Sequence, residues 1–220
     1  MGNKKDEKKS KKVKKNSPAK RTEEKKKINI FVLSGPGGAG KTTIVELLFK
    51  KKGVKKDLMR GIAATTRIKR EQEEEGKDYF FVSEEEFIRL KKKKFFLESQ
   101  KVLGNYYGTP KLFYLLAKSK KKDLVLCIDV KGGMYLKKHF KGGKITTIFI
   151  AAPNKKELKR RLGKRAEEAK EIKKRIDLSE EEARVGKQYE HLIVNKKIEN
   201  TFKQVEEIIF PKEIKITGKK

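Results

Sequence analysis

Two periods of apolar residues run through the chain. Ile30-Phe31-Val32-Leu33 is a short unbroken apolar run, which reads as a buried strand, and Ile44, Val45, Leu47 and Leu48 then recur at helical spacing. Leu124 to Ile128 is a second unbroken run, ending on the carboxylate Asp129, and Ile145 to Ile150 is a third. Unbroken apolar strands are those covered on both faces, as in parallel sheets. Leu192-Ile193-Val194 reads as a last short strand, and Val205 to Phe210 lies on a closing helix. Ser83 with Glu86 forms a capping box ahead of Phe87, Ile88 and Leu90, and Pro110 starts another helical stretch through Leu112, Phe113, Leu115 and Leu116. Gly76 to Val82 reads as a turn into a short strand, and Gly104 to Pro110 as a loop dense in hydrogen-bonding groups. Pro153-Asn154 caps a basic helix that carries Leu158 and Leu162, with Arg161 and Arg165 on one face. Strands alternating with helices predict an α/β domain of three layers around a central parallel sheet.

The gap between the first strand and its helix holds the chemistry. Gly35-Pro36-Gly37-Gly38-Ala39-Gly40-Lys41-Thr42 satisfies G-x-x-x-x-G-K-[ST], with the strand before it and the helix after it that a phosphate loop needs. Glycines let the backbone turn its N–H groups onto a polyphosphate, which then sits at the positive end of the helix. Lys41 can reach the outer phosphates, and the Thr42 hydroxyl can ligate Mg²⁺. Asp129, closing its apolar strand, has the position of a Walker-B-type acid.

Composition changes the picture at the ends. The 220 residues carry 60 Lys and Arg against 30 Asp and Glu, a net charge of +30. Such a balance suits nucleic acid or an anionic surface, but the excess is mostly lysine and is spread throughout, so it defines no dedicated face. Residues 1–27 are crowded with lysine and hold a single branched aliphatic, Val13, so they read as a disordered basic tail. That tail is the place for a weak contact with nucleic acid or an acidic surface; residues 213–220 form a basic C-terminal end. The single Cys127 excludes an internal disulfide. With no apolar stretch long enough to span a bilayer and no signal-peptide pattern, the expectation is a soluble, cytoplasmic protein.

Taken in order, SGPGGAGKTT, TTR-x-x-R, GKDYFF, FLE, GNYYGT, I-D with a glycine pair, LKRRL-x-x-R and LIVN resemble the guanylate kinases, P-loop nucleoside monophosphate kinases of purine metabolism. The resemblance covers residues 28–212. It implies a small GMP-binding subdomain over about residues 61–110, a helical lid over about 154–188, and transfer of the ATP γ-phosphoryl group to GMP with Mg²⁺. It further implies an ATP site of Gly35, Pro36, Gly37, Gly38, Ala39, Gly40, Lys41, Thr42, Thr43 and Asn195, with Thr42 on the metal. Arg67 and Arg70 would grip the GMP phosphate with Tyr79 and Tyr107, while Glu98, Thr109 and Asp129 would face guanine. A carboxylate at Glu98 would accept from guanine N1–H and its C2 amino group, whereas adenine has an acceptor at N1 and no amino group at C2. Lys41 with the lid arginines Arg161, Arg165 and Arg175 would carry catalysis, because phosphoryl transfer is mostly positioning and electrostatics.

Three positions depart from the family pattern. Ala63 stands where a serine helps hold guanine, a hydrogen bond worth about 0.5–1.5 kcal/mol. Cys127 replaces the acid two residues before Asp129, and the lid between Arg165 and Arg175 is slightly short. These losses leave two alternatives: a guanylate-kinase-like protein-binding scaffold, or a related P-loop kinase with another acceptor such as a sugar phosphate. The intact loop speaks against the first, and Glu98 with Thr109 against the second.

Overall fold

A computed structural model describes residues 27–163 and 169–211. The expected basic tail, apart from Lys27, and the C-terminal end fall outside these residues. The first third of the chain forms β1 (Asn29–Ser34), α1 (Lys41–Lys50), α2 (Val54–Asp57), β2 (Leu58–Gly61), β3 (Ala64–Thr65) and β4 (Phe80–Phe81). There follow α3 (Glu84–Lys92), β5 (Phe96–Val102), β6 (Asn105–Pro110), α4 (Lys111–Ser119), β7 (Asp123–Cys127) and α5 (Val130–His139). The last part contributes β8 (Lys144–Ala151), α6 (Lys155–Gly163), α7 (Ala169–Gly186), β9 (His191–Val194) and α8 (Ile198–Ile209).

The main sheet has the order β2-β7-β1-β8-β9 and is parallel throughout. Its strands alternate between two cores. Phe31, Leu33, Val125, Ile148 and Ile150 pack under α1 and α8 with Ile44, Val45, Leu48, Val205 and Ile209. Ile30, Val32, Leu124 and Leu126 pack on the opposite face with Ala117 of α4 and Leu136 of α5. This is the three-layer arrangement that the unbroken apolar strands predict. The edge strand β9 has one covered face only, so Ile193 is buried while Leu192 and Val194 are exposed.

A second sheet, β4-β3-β6-β5, is mixed. It forms the small subdomain with α3, around Phe87 and Phe96 stacked at a ring separation of 4.6 Å. Ser83 caps α3 by accepting from the Glu86 N–H at 3.1 Å, as the capping box predicts, but the Glu86 side chain turns to Arg89 instead of closing the box. The stretch Gly104 to Pro110 departs from the loop expected of it. From Asn105 on it is strand β6, paired antiparallel with β5 through a tight turn at Leu103 and Gly104, both at positive φ. Its glycine, asparagine and proline suggested a loop, while Tyr106, Tyr107 and Thr109 are the strand formers that prevail once β5 and β3 flank them. Helix α4 forms where expected and packs Phe113, Tyr114 and Ala117 on the sheet, leaving Leu112, Leu115 and Leu116 exposed. Among the described residues, no helix is long and apolar enough to cross a membrane.

Candidate active site

The C-terminal ends of β1, β2 and β7 open into a cleft roofed by the small sheet on one side and reached by α7 on the other. Its volume is about 510 Å³. One end is the phosphate loop. Gly35 has φ 141°, and a side chain there would lie 2.0 Å from the Ile150 carbonyl oxygen, so only glycine lets the loop leave β1 so close to β8. Gly40 caps α1 without a side-chain acceptor, and no acid stands in the first turn, so the helix N–H groups stay available to an anion. Lys41 folds back over the loop and donates to the carbonyls of Gly35 and Pro36 at 2.5 and 3.0 Å. Thr42 and Thr43 are exposed in the cleft at the start of α1.

Behind the loop stands Asn195. It was expected at the nucleotide, but it is 2% exposed, with its amide group donating to the Ala39 carbonyl at 2.8 Å and its oxygen accepting from Thr201 at 3.0 Å. Its carboxamide braces the loop from outside the cleft. Arg161 also departs from its expected place. It binds Glu157 at 2.8 Å and the Asn195 carbonyl at 3.0 Å, and it does not line the cleft. Its helix α6 is fixed by Leu158 and Leu162, so the arginine is turned toward the β9 end. Arg175 of α7 does line the cleft, with Nη1 so near the loop that a side chain on Gly37 would come within 3.1 Å of it. Arg165 lies outside the described residues.

At the other end, Arg67, Arg70, Tyr79, Tyr107, Glu98 and Asp129 all line the same cleft. The Arg67 guanidinium stacks over Tyr79 at 5.5 Å, and the Tyr79 and Tyr107 rings meet edge to face at 6.0 Å. One residue not singled out in the sequence organises this corner. Glu73 takes both its oxygens to Arg67 Nη2, at 2.7 and 2.9 Å, and accepts from the Arg70 N–H at 2.9 Å. Burial opposes its charge, but the Arg67 fork and the Arg70 N–H hold the carboxyl below the ordinary range. In the sequence it is one of a run of acids, and nothing in the run distinguishes it.

Glu98 is 5% exposed and burial pushes its carboxyl up to about 7, against the pull of the Thr109 hydroxyl, which donates to it at 2.7 Å. Thr109 is buried behind the acid and outside the cleft lining, so it orients Glu98 where direct contact with a base was expected. The other Glu98 oxygen packs on Gly132, where a side chain would come within 2.5 Å. Asp129, expected at the base, spends one oxygen capping α5 through the Gly132 N–H at 2.7 Å, and burial raises its carboxyl as well. Cys127 lies against the Thr42 hydroxyl, and burial pushes its thiol up. Arg60, Gln100 and Glu182, unassigned in the sequence, also line the cleft. The site is therefore one cavity with a polyphosphate cradle at one end. At the other end stands an arginine-tyrosine seat for a second phosphate, beside a buried acid for a hydrogen-bonding base.

Comparisons with known proteins show the family to which the chain belongs. A family model described as "Guanylate kinase" matches residues 27–212. A guanylate kinase of Caldanaerobacter subterraneus is 40% identical over 192 residues, 87% of this chain and 91% of its own length. One from Clostridium perfringens is 35% identical over 188 residues, 85% of each chain. Among solved structures, a guanylate kinase from Anaplasma phagocytophilum superposes with a TM-score of 0.66 at 30% identity, covering 83% of this chain and 84% of that one.

Proposed function

The chain belongs to the guanylate kinase family, and from that premise we propose that it transfers the γ-phosphoryl group of ATP to GMP across this cleft. The observation that supports it most is the pairing of the two ends: loop and arginine-tyrosine seat open into one cavity, so two nucleotides can lie with their phosphates facing. ATP places its phosphates on the loop N–H groups, and Lys41 leaves the Gly35 and Pro36 carbonyls to reach them. GMP places its phosphate between Arg67 and Arg70, whose forks Glu73 has already oriented, with the hydroxyls of Tyr79 and Tyr107 completing the seat. Ionised Glu98 accepts from guanine N1–H and the amino group, held in place by Thr109. Arg175 closes over the donor from α7. Charge on the transferring group is thus met by fixed donors, which need no reorganisation at the moment of transfer.

Among the described residues there is no group of three or more His, Cys, Asp or Glu side chains placed to hold a metal by themselves. An exposed threonine hydroxyl at the loop fits Mg²⁺ carried in on ATP, which takes most of its ligands from phosphate and water. Thr42 would hold it, and the ion would offset phosphate charge. The free thiol and the dependence on ATP fit a cytoplasmic enzyme. No observation favours the scaffold alternative. The test is ADP release by the purified chain with GMP, dGMP, AMP, UMP and TMP offered in parallel: turnover with the guanine nucleotides and little with the rest is expected. Equal use of AMP would remove guanine selection, and no turnover with any acceptor would remove the kinase reading.

A further inference from the structure

Arg60 is the one arginine of the cleft that the functional reading leaves without a task. It sits next to the last residue of β2, opposite Val125 of β7, and so shares the sheet face of Val125, Cys127 and α1. Its side chain is half-buried and lines the cleft together with Lys41, Thr42 and Cys127 at the donor end and Gly61 and Ala63 toward the acceptor end. Its charge is felt by the Cys127 thiol, which itself lies against Thr42.

The other arginines lining the cleft each have a carboxylate: Arg67 and Arg70 share Glu73, and Arg175 has Glu171. The Arg60 side chain makes no hydrogen bond or ion pair with the described residues. Its nearest neighbour at the end of β7 is a thiol, which offers no countercharge. A half-buried guanidinium that lines the cleft without a carboxylate partner can take its countercharge from an anionic ligand. A planar fork of fixed donors suits phosphate oxygens better than any other common ligand.

We infer that Arg60 is a further catalytic residue, whose guanidinium lies on the phosphoryl group as it passes from ATP to GMP. The inference rests on the kinase reading. In the step, an oxygen of the GMP phosphate forms a bond to the γ-phosphorus as the bond to the β–γ bridging oxygen breaks, and that electron pair leaves with ADP. Arg60 donates N–H bonds throughout and gives up no proton. Its position between the two ends matches the equatorial oxygens of the group in transit, where charge is spread in the transition state.

The experiment compares the full chain with Arg60→Gln and Arg60→Lys, varying ATP and GMP in steady state and following thermal unfolding in parallel. Wild-type turnover tests the kinase reading, and the ratio of variant to wild type tests Arg60 alone. Removing one such donor lowers kcat by about 10²–10³-fold, and that is the fall expected of Arg60→Gln, with both KM values within about threefold of wild type. Arg60→Lys, which keeps the charge but not the fork, should recover part of the loss. A kcat for Arg60→Gln within about threefold of wild type overturns the proposal, as does a loss confined to the KM for GMP. If Arg60→Gln fails to fold, Arg60→Lys decides: a kcat at least about tenfold down carries the proposal, and wild-type kcat ends it.

Discussion

At the residue level, Glu98 and Glu73 show how burial and pairing set opposite behaviour in two carboxylates of one cleft. Among the described residues no cation pairs with Glu98, and burial raises its carboxyl to about 7; Glu73 has two arginines and stays ionised. On the proposed function, guanine recognition needs the Glu98 carboxylate as an acceptor, so GMP binding is expected above about pH 7 and is lost as pH falls through it. The KM for GMP should rise by up to about tenfold per pH unit below 7, and Glu98→Gln should flatten that rise while relaxing the preference for GMP over AMP. Guanosine binding, which lacks a titrating phosphate, separates the two effects; a flat profile for wild type would remove Glu98 from the base site. Glu73→Gln keeps the shape but halves the grip on Arg67 and Arg70. We expect a KM for GMP about tenfold higher with kcat nearly unchanged, measured in the same assay; unchanged KM would mean the forks are held without it. The place of Glu98 in the cleft was legible because FLE stands closely before GNYYGT in the run of motifs that carries the family resemblance. Glu73 was not, because only the folded chain shows which acid of a run turns inward.

At the level of elements, the phosphate loop was legible because each of its parts has a local cause: an apolar strand, glycines for the bend, a helix opening without a side-chain cap. The β5–β6 hairpin was not, since its strand residues alternate with glycine, asparagine and proline and only the flanking strands decide. The outward leucines of α4 mislead in the same way. Burying a leucine is worth about 1.5–3 kcal/mol, so period alone suggests that Leu112, Leu115 and Leu116 face the sheet, yet Phe113, Tyr114 and Ala117 fill that space. The start of α5 carries the sharper prediction. Gly132 lies in the first turn, and its missing side chain is the space that one Glu98 oxygen occupies. Gly132→Ala must displace either the acid or the helix end. Because the helix itself favours alanine, stability should change little while kcat/KM for GMP falls by about 10- to 100-fold. Wild-type kcat/KM in that variant would mean Glu98 is free to move aside.

Across the whole molecule, the two sheets and helix α7 meet at buried acids. Glu182 is carried by α7, is 7% exposed and faces the cleft near Lys41, Asp129 and Arg175. Burial is the largest influence on it and raises its carboxyl to about 7; Lys41 and Arg175 pull the other way, and Asp129 adds to the rise. In the unfolded chain the same group titrates near its ordinary value, so the folded state binds more protons between about pH 4.5 and 7. Glu182 therefore adds no such cost below about pH 4, and it destabilises the ligand-free fold progressively as pH rises from there through about 7. Glu182→Gln removes that cost without removing volume. The variant should therefore be more stable than wild type at pH 8, by on the order of 1–3 kcal/mol, with the two converging at about pH 4 and below. Denaturant unfolding at the two pH values checks it. Glu98 titrates in the same window but is unchanged in both proteins, so it cancels in the difference. A variant less stable than wild type at pH 8 would show that Lys41 and Arg175 already compensate the buried charge, and α7 would then be held to the loop by attraction and not merely by packing.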